Sequence, residues 1–310
     1  MQKKVAVSGA GGFIGTVLVR KLLKKGYCVY GLDISEGMLN KFSEHKNFVP
    51  VVADFTKYRD LDKFLPKHLD VFYHLAWDFN KMNFRDYETQ IKNALYSCDA
   101  VASADRLHCK KFVFAGSMNE YEINSYVNMD YIEPRYTYVY SISKFLAESI
   151  AKTICYNENK MEICFGRIAM VYGPGNNLPN IANVAIYNLV HNIPLKLVEG
   201  KGIYDLIYCE DVASAFIAMG EKGRNMATYY IGHRELNTFR DIIERMASII
   251  NPQCERLYGV YPDSESSIDF GEIDLDALYR DTGFECSISF EDSILKTADW
   301  LNNNPLPKRL

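Results

Sequence analysis

The chain has 310 residues and a mass of 35.5 kDa, room for about two domains or one large α/β domain with an appendage. Hydrophobic residues make up 48% and charged residues 24%, which supports a full core and excludes a disordered chain. A formal charge of -4 with no basic block gives no electrostatic case for nucleic acid or an anionic membrane, so an anionic ligand must be held by local groups.

Val5-Ala-Val7 reads as a strand that runs into a glycine cluster. Helical spacing follows from Phe13 through Ile14, Leu18, Leu22 and Leu23, and Gly26 ends it. Tyr27 to Leu32 is a second strand, closed by Asp33. Next come a strand over Phe48–Ala53, a helix over Tyr58–His68 and a strand over Val71–Leu75. A long helix spans about Phe84–Arg106, with a strand at Phe112–Ala115, a second long helix at about Tyr136–Asn157 and a strand at Ile163–Ile168. This alternation predicts a Rossmann-type, doubly wound parallel sheet, α/β in class, with a smaller C-terminal substrate-binding region. The expected division is residues 1–172 with about 203–222 for the cofactor domain, and 173–202 with 223–310 for the substrate region. The strand and helix around Asp205–Glu221 are expected to return to the main sheet. The tail from Asn302 to Arg309 reads as a frayed end.

Eight scattered cysteines form no Cys-x-x-Cys pair, and no histidine pair has zinc-ligand spacing, so no metal site is expected. Reduced thiols fit a cytoplasmic protein. No apolar run reaches the ~18 residues of a membrane span. Glycines interrupt the apolar stretch after Lys4, so no export signal is expected.

Gly9-Ala-Gly11-Gly12-Phe13-Ile14-Gly15 follows a strand and opens a helix. A pyrophosphate needs backbone N–H groups at a helix N-terminus with no Cβ in the way, and these glycines supply both conditions. Asp33, at the end of the next strand, is placed to accept ribose hydroxyls and to repel a 2′-phosphate. No Arg or Lys follows until Lys41, so NAD is expected over NADP. Tyr-x-x-x-Lys occurs at Tyr140/Lys144 and at Tyr156/Lys160. The first pair shares one helix face, with Ile142, Phe145, Leu146 and Ile150 expected to pack its other side. In the second, Lys160 falls in the turn before a strand, so that pair is not expected to share a helix face and is set aside.

With these motifs in order the chain resembles the extended short-chain dehydrogenases/reductases, in the NAD-dependent epimerase/dehydratase branch. The resemblance covers most of the chain. Asp54-Phe55 matches the acid beside the adenine, His74-Leu75-Ala76 the segment under the nicotinamide-side ribose and phosphates, and Asn93 a supporting helix asparagine. Phe112 to Ser117, with Tyr121, matches the strand ending in the catalytic hydroxyl. Val171 to Gly175 and Glu210-Asp211-Val212 match later landmarks. It implies Ser117, Tyr140 and Lys144 as the catalytic set, NAD as cofactor, and Met118, Asn119, Met170, Lys201 and Tyr204 along the substrate. It also implies a homodimer through the two long helices, about 84–106 and 136–157. In physical terms Lys144 favours the Tyr140 phenolate, which takes a hydroxyl proton, while Ser117 bonds the developing carbonyl oxygen.

Three departures bear on substrate. Met118-Asn119 stand where the family's dehydratases carry Asp-Glu, which argues against water elimination, and Glu120 reads as a local loop carboxylate. Met170 and Tyr204 stand where many relatives carry the Asn and Arg that hold a nucleotide diphosphate. A later arginine has no counterpart near Tyr261-Pro-Asp263, which leaves Lys196, Lys201, Arg234 or Arg256 as substitutes. The expected activity is epimerisation of a nucleotide-activated sugar through a keto-sugar. The alternatives are reduction of a 4-keto nucleotide sugar and, with the full triad against it, a non-catalytic NAD-binding regulator.

Overall fold

The computed structural model describes residues 2–79, 85–128, 135–158, 161–176, 178–262 and 268–307. Short apolar runs bounded by turns form the strands β1 (Lys4–Ser8), β2 (Cys28–Asp33), β3 (Phe48–Val52) and β4 (Val71–His74). Between β1 and β2 lies α1 (Phe13–Lys24), and the short α2 (Glu36–Leu39) follows β2. Next come α3 (Tyr87–Arg106), β5 (Lys111–Ser117), α4 (Glu122–Asn128), α5 (Thr137–Glu158), β6 (Glu162–Ile168) and β7 (Met170–Tyr172). The C-terminal part adds α6 (Ile181–Val190), β8 (Leu195–Lys196), β9 (Ile203–Tyr204), β10 (Leu206–Tyr208), α7 (Cys209–Lys222) and β11 (Thr228–Ile231). It ends with β12 (Asn237–Thr238), α8 (Phe239–Ile250), β13 (Arg256–Leu257), α9 (Ala277–Thr282) and α10 (Phe290–Asn303).

Seven parallel strands make the central sheet in the order β11-β6-β5-β4-β1-β2-β3. All four residues of β4 are buried, as a parallel strand covered on both faces requires. One face packs Leu18, Leu22, Phe216 and Met219 of α1 and α7; the other packs Val101, Ala104, Ala147 and Ala151 of α3 and α5. A third core, with Ile186, Leu189, Ile243 and Leu301, joins α6, α8 and α10. Strand order reverses between β1 and β4. In a doubly wound sheet that opens a crevice at the strands' carboxyl ends.

Several expectations are corrected. Residues 55–63 form a 3-10 helix kinked at Asp60 instead of an α-helix reaching His68; Pro66 forbids continuation through Leu65. Strand β10 pairs with β7 outside the main sheet, whereas α7 does pack onto it; the seventh strand is β11. Ile142, Phe145, Leu146 and Ile150 do not pack: they are 37–41% exposed, and Ala147, Ala151 and Cys155 turn inward instead. Long helix α3 begins at Tyr87; Phe84 lies outside the described residues, as do Asp263, Lys160 and residues 308–310. Tyr156 lies on the last turn of α5 and is 80% exposed. Among the described residues no helix is long and apolar enough to cross a membrane, and no group of side chains could hold a metal ion.

Candidate active site

The glycine turn stands at the carboxyl end of β1. An added Cβ at Gly15 would lie 1.9 Å from the Gly9 carbonyl oxygen, so only glycine lets α1 start this close to the strand. Gly12 is the N-cap of α1. No side chain caps this end and no acid sits in its first turn, so N–H groups there, from the residues of the Phe13-Ile14 turn, are open to an anion. Asp33 Oδ2 accepts the Gly11 N–H at 2.8 Å and Oδ1 the Ile34 N–H at 2.8 Å. A carboxylate has about four acceptor positions, so two remain for ribose hydroxyls. These features fit a dinucleotide.

Lys41 departs from the expectation that no cation lies nearby. The turn after α2 folds it back, and Nζ donates to the Gly11 carbonyl at 3.0 Å and to Thr16 Oγ1 at 3.1 Å. Burial and the Arg20 charge lower its pKa, while Asp33 raises it. With Lys41 committed to these oxygens, two acceptor positions of Asp33 stay available to a ribose. NAD(H) should therefore bind at least about tenfold (about 1.4 kcal/mol) tighter than NADP(H) in calorimetric titrations. Equal affinities would refute this role for Asp33.

Asp54 is well exposed and caps the following 3-10 helix, accepting the Thr56 N–H at 2.9 Å and the Thr56 hydroxyl. Phe55 stacks on Tyr96 at 5.4 Å. His74 sits between the Ser8 and Ser97 hydroxyls at 2.8 and 3.0 Å; burial lowers its pKa to about 3, so it is neutral. Ser8 Oγ accepts the N–H groups of Leu75 and Ala76. Asn93 clamps the next stretch through both Asp78 backbone groups at 3.0 and 2.7 Å.

Trp77, which the sequence reading passed over, connects this stretch to the catalytic helix. Its Nε1 donates to the buried Gln90 at 2.9 Å, and Lys144 Nζ lies 3.7 Å from its ring centre. A tryptophan directly after a matched His-Leu-Ala segment was the available signal.

Ser117, Tyr140 and Lys144 meet at the carboxyl end of β5. Tyr140 and Lys144 are buried one turn apart on α5, and the Ser117 hydroxyl is the neighbouring side chain that favours the Tyr140 phenolate. Lys144 Nζ donates to the Ala115 carbonyl at 2.9 Å, and burial lowers its pKa to about 7. The expected lowering of Tyr140 by Lys144 is not what dominates here. Burial raises the phenol, and the Ser117 hydroxyl opposes it. Met118 and Asn119 follow on a 3-10 turn, where Ser117 Oγ accepts the Asn119 N–H at 3.3 Å. Glu120 is 1% exposed, not a loop carboxylate.

Met170 and Tyr204 lie on β7 and on β9, which directly precedes β7's partner β10, with the Tyr204 ring edge-on to Phe239. Lys201 is exposed in a loop pinned to the start of α8, where the Gly200 and Gly202 carbonyls accept the N–H groups of Arg240 and Phe239. Arg234 and Arg256 are tied to Glu285 and Glu244, whereas Lys196 and Lys201 make no ion pair among the described residues.

Residues 5–232 match the sequence profile of the NAD dependent epimerase/dehydratase family. The chain belongs to that family. As a member of this epimerase/dehydratase family it is an enzyme with NAD as its cofactor. It is 22% identical to a CDP-abequose synthase of Salmonella muenchen, over 88% of this chain and 85% of that protein. It is 23% identical to a dTDP-D-glucose 4,6-dehydratase of Bos taurus, over 97% and 89%. In fold it is similar to the UDP-glucuronic acid 4-epimerase of Bacillus cereus, solved with UDP-glucuronic acid and NAD. The TM-score there is 0.77, at 19% identity and with 97% and 99% of the two chains covered.

Proposed function

We propose that this family member is a redox-neutral epimerase of a nucleotide-activated sugar, working through a transient keto-sugar. The observation that carries the reading is the Ser117–Tyr140 hydroxyl pair beside Lys144, joined through Trp77 and Ala76 to the glycine turn. NAD supplies a reversible hydride acceptor when bound. Tyr140 takes the sugar hydroxyl proton and returns it, and Ser117 donates to the carbonyl oxygen as it forms. Lys144 as an ammonium favours the phenolate. Met118 and Asn119 offer no acid or base for water elimination, which supports epimerase over dehydratase. The nucleotide-sugar class is supported by the Bacillus cereus enzyme, solved with UDP-glucuronic acid. Mass spectrometry of the purified protein tests the reading: tightly held, stoichiometric NAD is expected, and a site that needs added NADPH would indicate a reductase.

Lys201 is the cation proposed to face the substrate's phosphates in place of the missing arginine. Lys201→Ala should raise KM for a nucleotide sugar with kcat little changed, the pattern of lost uniform binding. An unchanged KM would remove Lys201 from the site.

The exposed apolar residues Tyr87, Ile91 and Leu95 of α3 and Ile142, Phe145, Leu146 and Ile150 of α5 lie on two neighbouring helices. Such a patch marks an interface, and we read it as the face of a homodimer. Light scattering should give twice 35.5 kDa for wild type and a monomer for Leu95→Glu combined with Leu146→Glu. A monomeric wild type would contradict it.

A further inference from the structure

Glu120 is enclosed against the reacting end of β5. Its Oε1 accepts the Ser117 N–H at 2.6 Å, completing a capping box with the Ser117 hydroxyl. A Cβ on Gly116 would lie 2.6 Å from that oxygen, so glycine at 116 leaves the carboxyl its seat. Among the described residues no donor reaches Oε2 in hydrogen-bond geometry, and Arg167 Nε stands 3.5 Å away. Glu148 is equally enclosed but well served. It accepts from Lys152 at 2.6 Å, from Thr228 at 2.9 Å and from Arg167 at 3.2 and 3.3 Å.

The two buried carboxyls meet at one guanidinium: Arg167 Nε lies 3.5 Å from Glu120 Oε2 and 3.2 Å from Glu148 Oε2. Two buried carboxylates beside one guanidinium would leave a surplus negative charge, and a proton held by the pair removes it. Glu148, with its three donors, is the anion and is held at about 2. Burial, and then the Glu148 charge, push Glu120 well above the usual carboxylate range. Tyr140, Lys144, Glu148 and, beyond it, Lys152 face this site from α5, and Arg167 faces it from β6. Tyr121 of its own turn lies under the Arg167 guanidinium at 4.5 Å, with Tyr230 of β11 beyond. A charge on Glu120 would oppose ionisation of Tyr140 and favour the Lys144 ammonium.

We propose that Glu120 is a positioning residue: a neutral acid that shares its proton with Glu148, holds the Ser117 N–H, and keeps a second negative charge away from Tyr140. The proposal rests on the reading of Ser117, Tyr140 and Lys144 as the working centre. When rising pH removes the shared proton, the new charge disfavours the phenolate, so turnover falls on the alkaline side.

Glu120→Leu leaves the Ser117 N–H without its acceptor and should lower kcat about tenfold or more with NAD affinity unchanged. Glu120→Gln keeps an acceptor for Ser117 and a donor for Glu148 and cannot ionise. It should restore most of the neutral-pH kcat and remove the part of the alkaline fall that comes from Glu120, leaving that from Lys144. Infrared spectroscopy supplies a readout independent of turnover: a protonated-carboxyl stretch at neutral pH, present in wild type and Tyr140→Phe and absent from Glu120→Gln. No such band, a band that survives Glu120→Gln, or a glutamine variant as impaired as the leucine one would overturn the proposal. Inactivity of wild type on every nucleotide sugar would instead sink the functional reading, and the infrared band would still decide the state of Glu120.

Discussion

Tyr140→Phe should lower turnover by about 10²–10⁴-fold, the usual share of general acid–base catalysis. The phenol is buried on α5 beside Ser117, so phenylalanine keeps the packing and loses the group that takes the proton in the proposed reaction. Folding and NAD affinity should be nearly unchanged. Tyr156→Phe is the control: 80% exposed at the far end of the same helix, it should change turnover little. Steady-state rates and NAD titrations on both variants decide the matter. A dead Tyr156 variant beside an active Tyr140 variant would move the active site elsewhere.

The second large effect is expected at the glycine turn. Gly15→Ala puts a methyl group 1.9 Å from a backbone oxygen, a contact that no side-chain rotation relieves. Either α1 moves off β1 or the Gly9–Gly12 turn reshapes, and each displaces the N–H groups that receive the pyrophosphate. NAD affinity should fall at least about 100-fold, about 2.7 kcal/mol. Overpacking should also cost about 1–3 kcal/mol of stability. Calorimetry and thermal melts separate the two, and a variant that binds NAD as wild type does would show that the turn is not the pyrophosphate cradle.

The β1–turn–α1–β2 unit and the Tyr140/Lys144 helix were legible because their signals are local. A strand, a glycine run and an acid at a fixed distance describe one another. What escaped depends on contacts between distant segments. The apolar stripe Ile142, Phe145, Leu146 and Ile150 was visible as a stripe, but periodicity cannot say whether it faces the core or a partner. Lys41 reads as far from the ribose edge because seven residues lie between it and Asp33; the fold-back after α2 erases that distance. From the sequence Glu120 reads as a local loop carboxylate, because charged side chains are mostly exposed, and only the fold brings Glu148 and Arg167 to it. Strand β11 was missed although Thr228-Tyr-Tyr-Ile231 has strand composition, because it follows a region where the strand–helix rhythm had already weakened.

The most direct test of the central claim is a set of incubations with UDP-, GDP-, CDP- and dTDP-sugars, each deuterated at the carbon to be oxidised. Purified protein is used without added cofactor, and products are followed by NMR. Redox-neutral epimerisation predicts that one of them gives its epimer with the deuterium retained and no net NADH formed. Turnover only with added NADH or NADPH, giving a reduced product, would contradict the account.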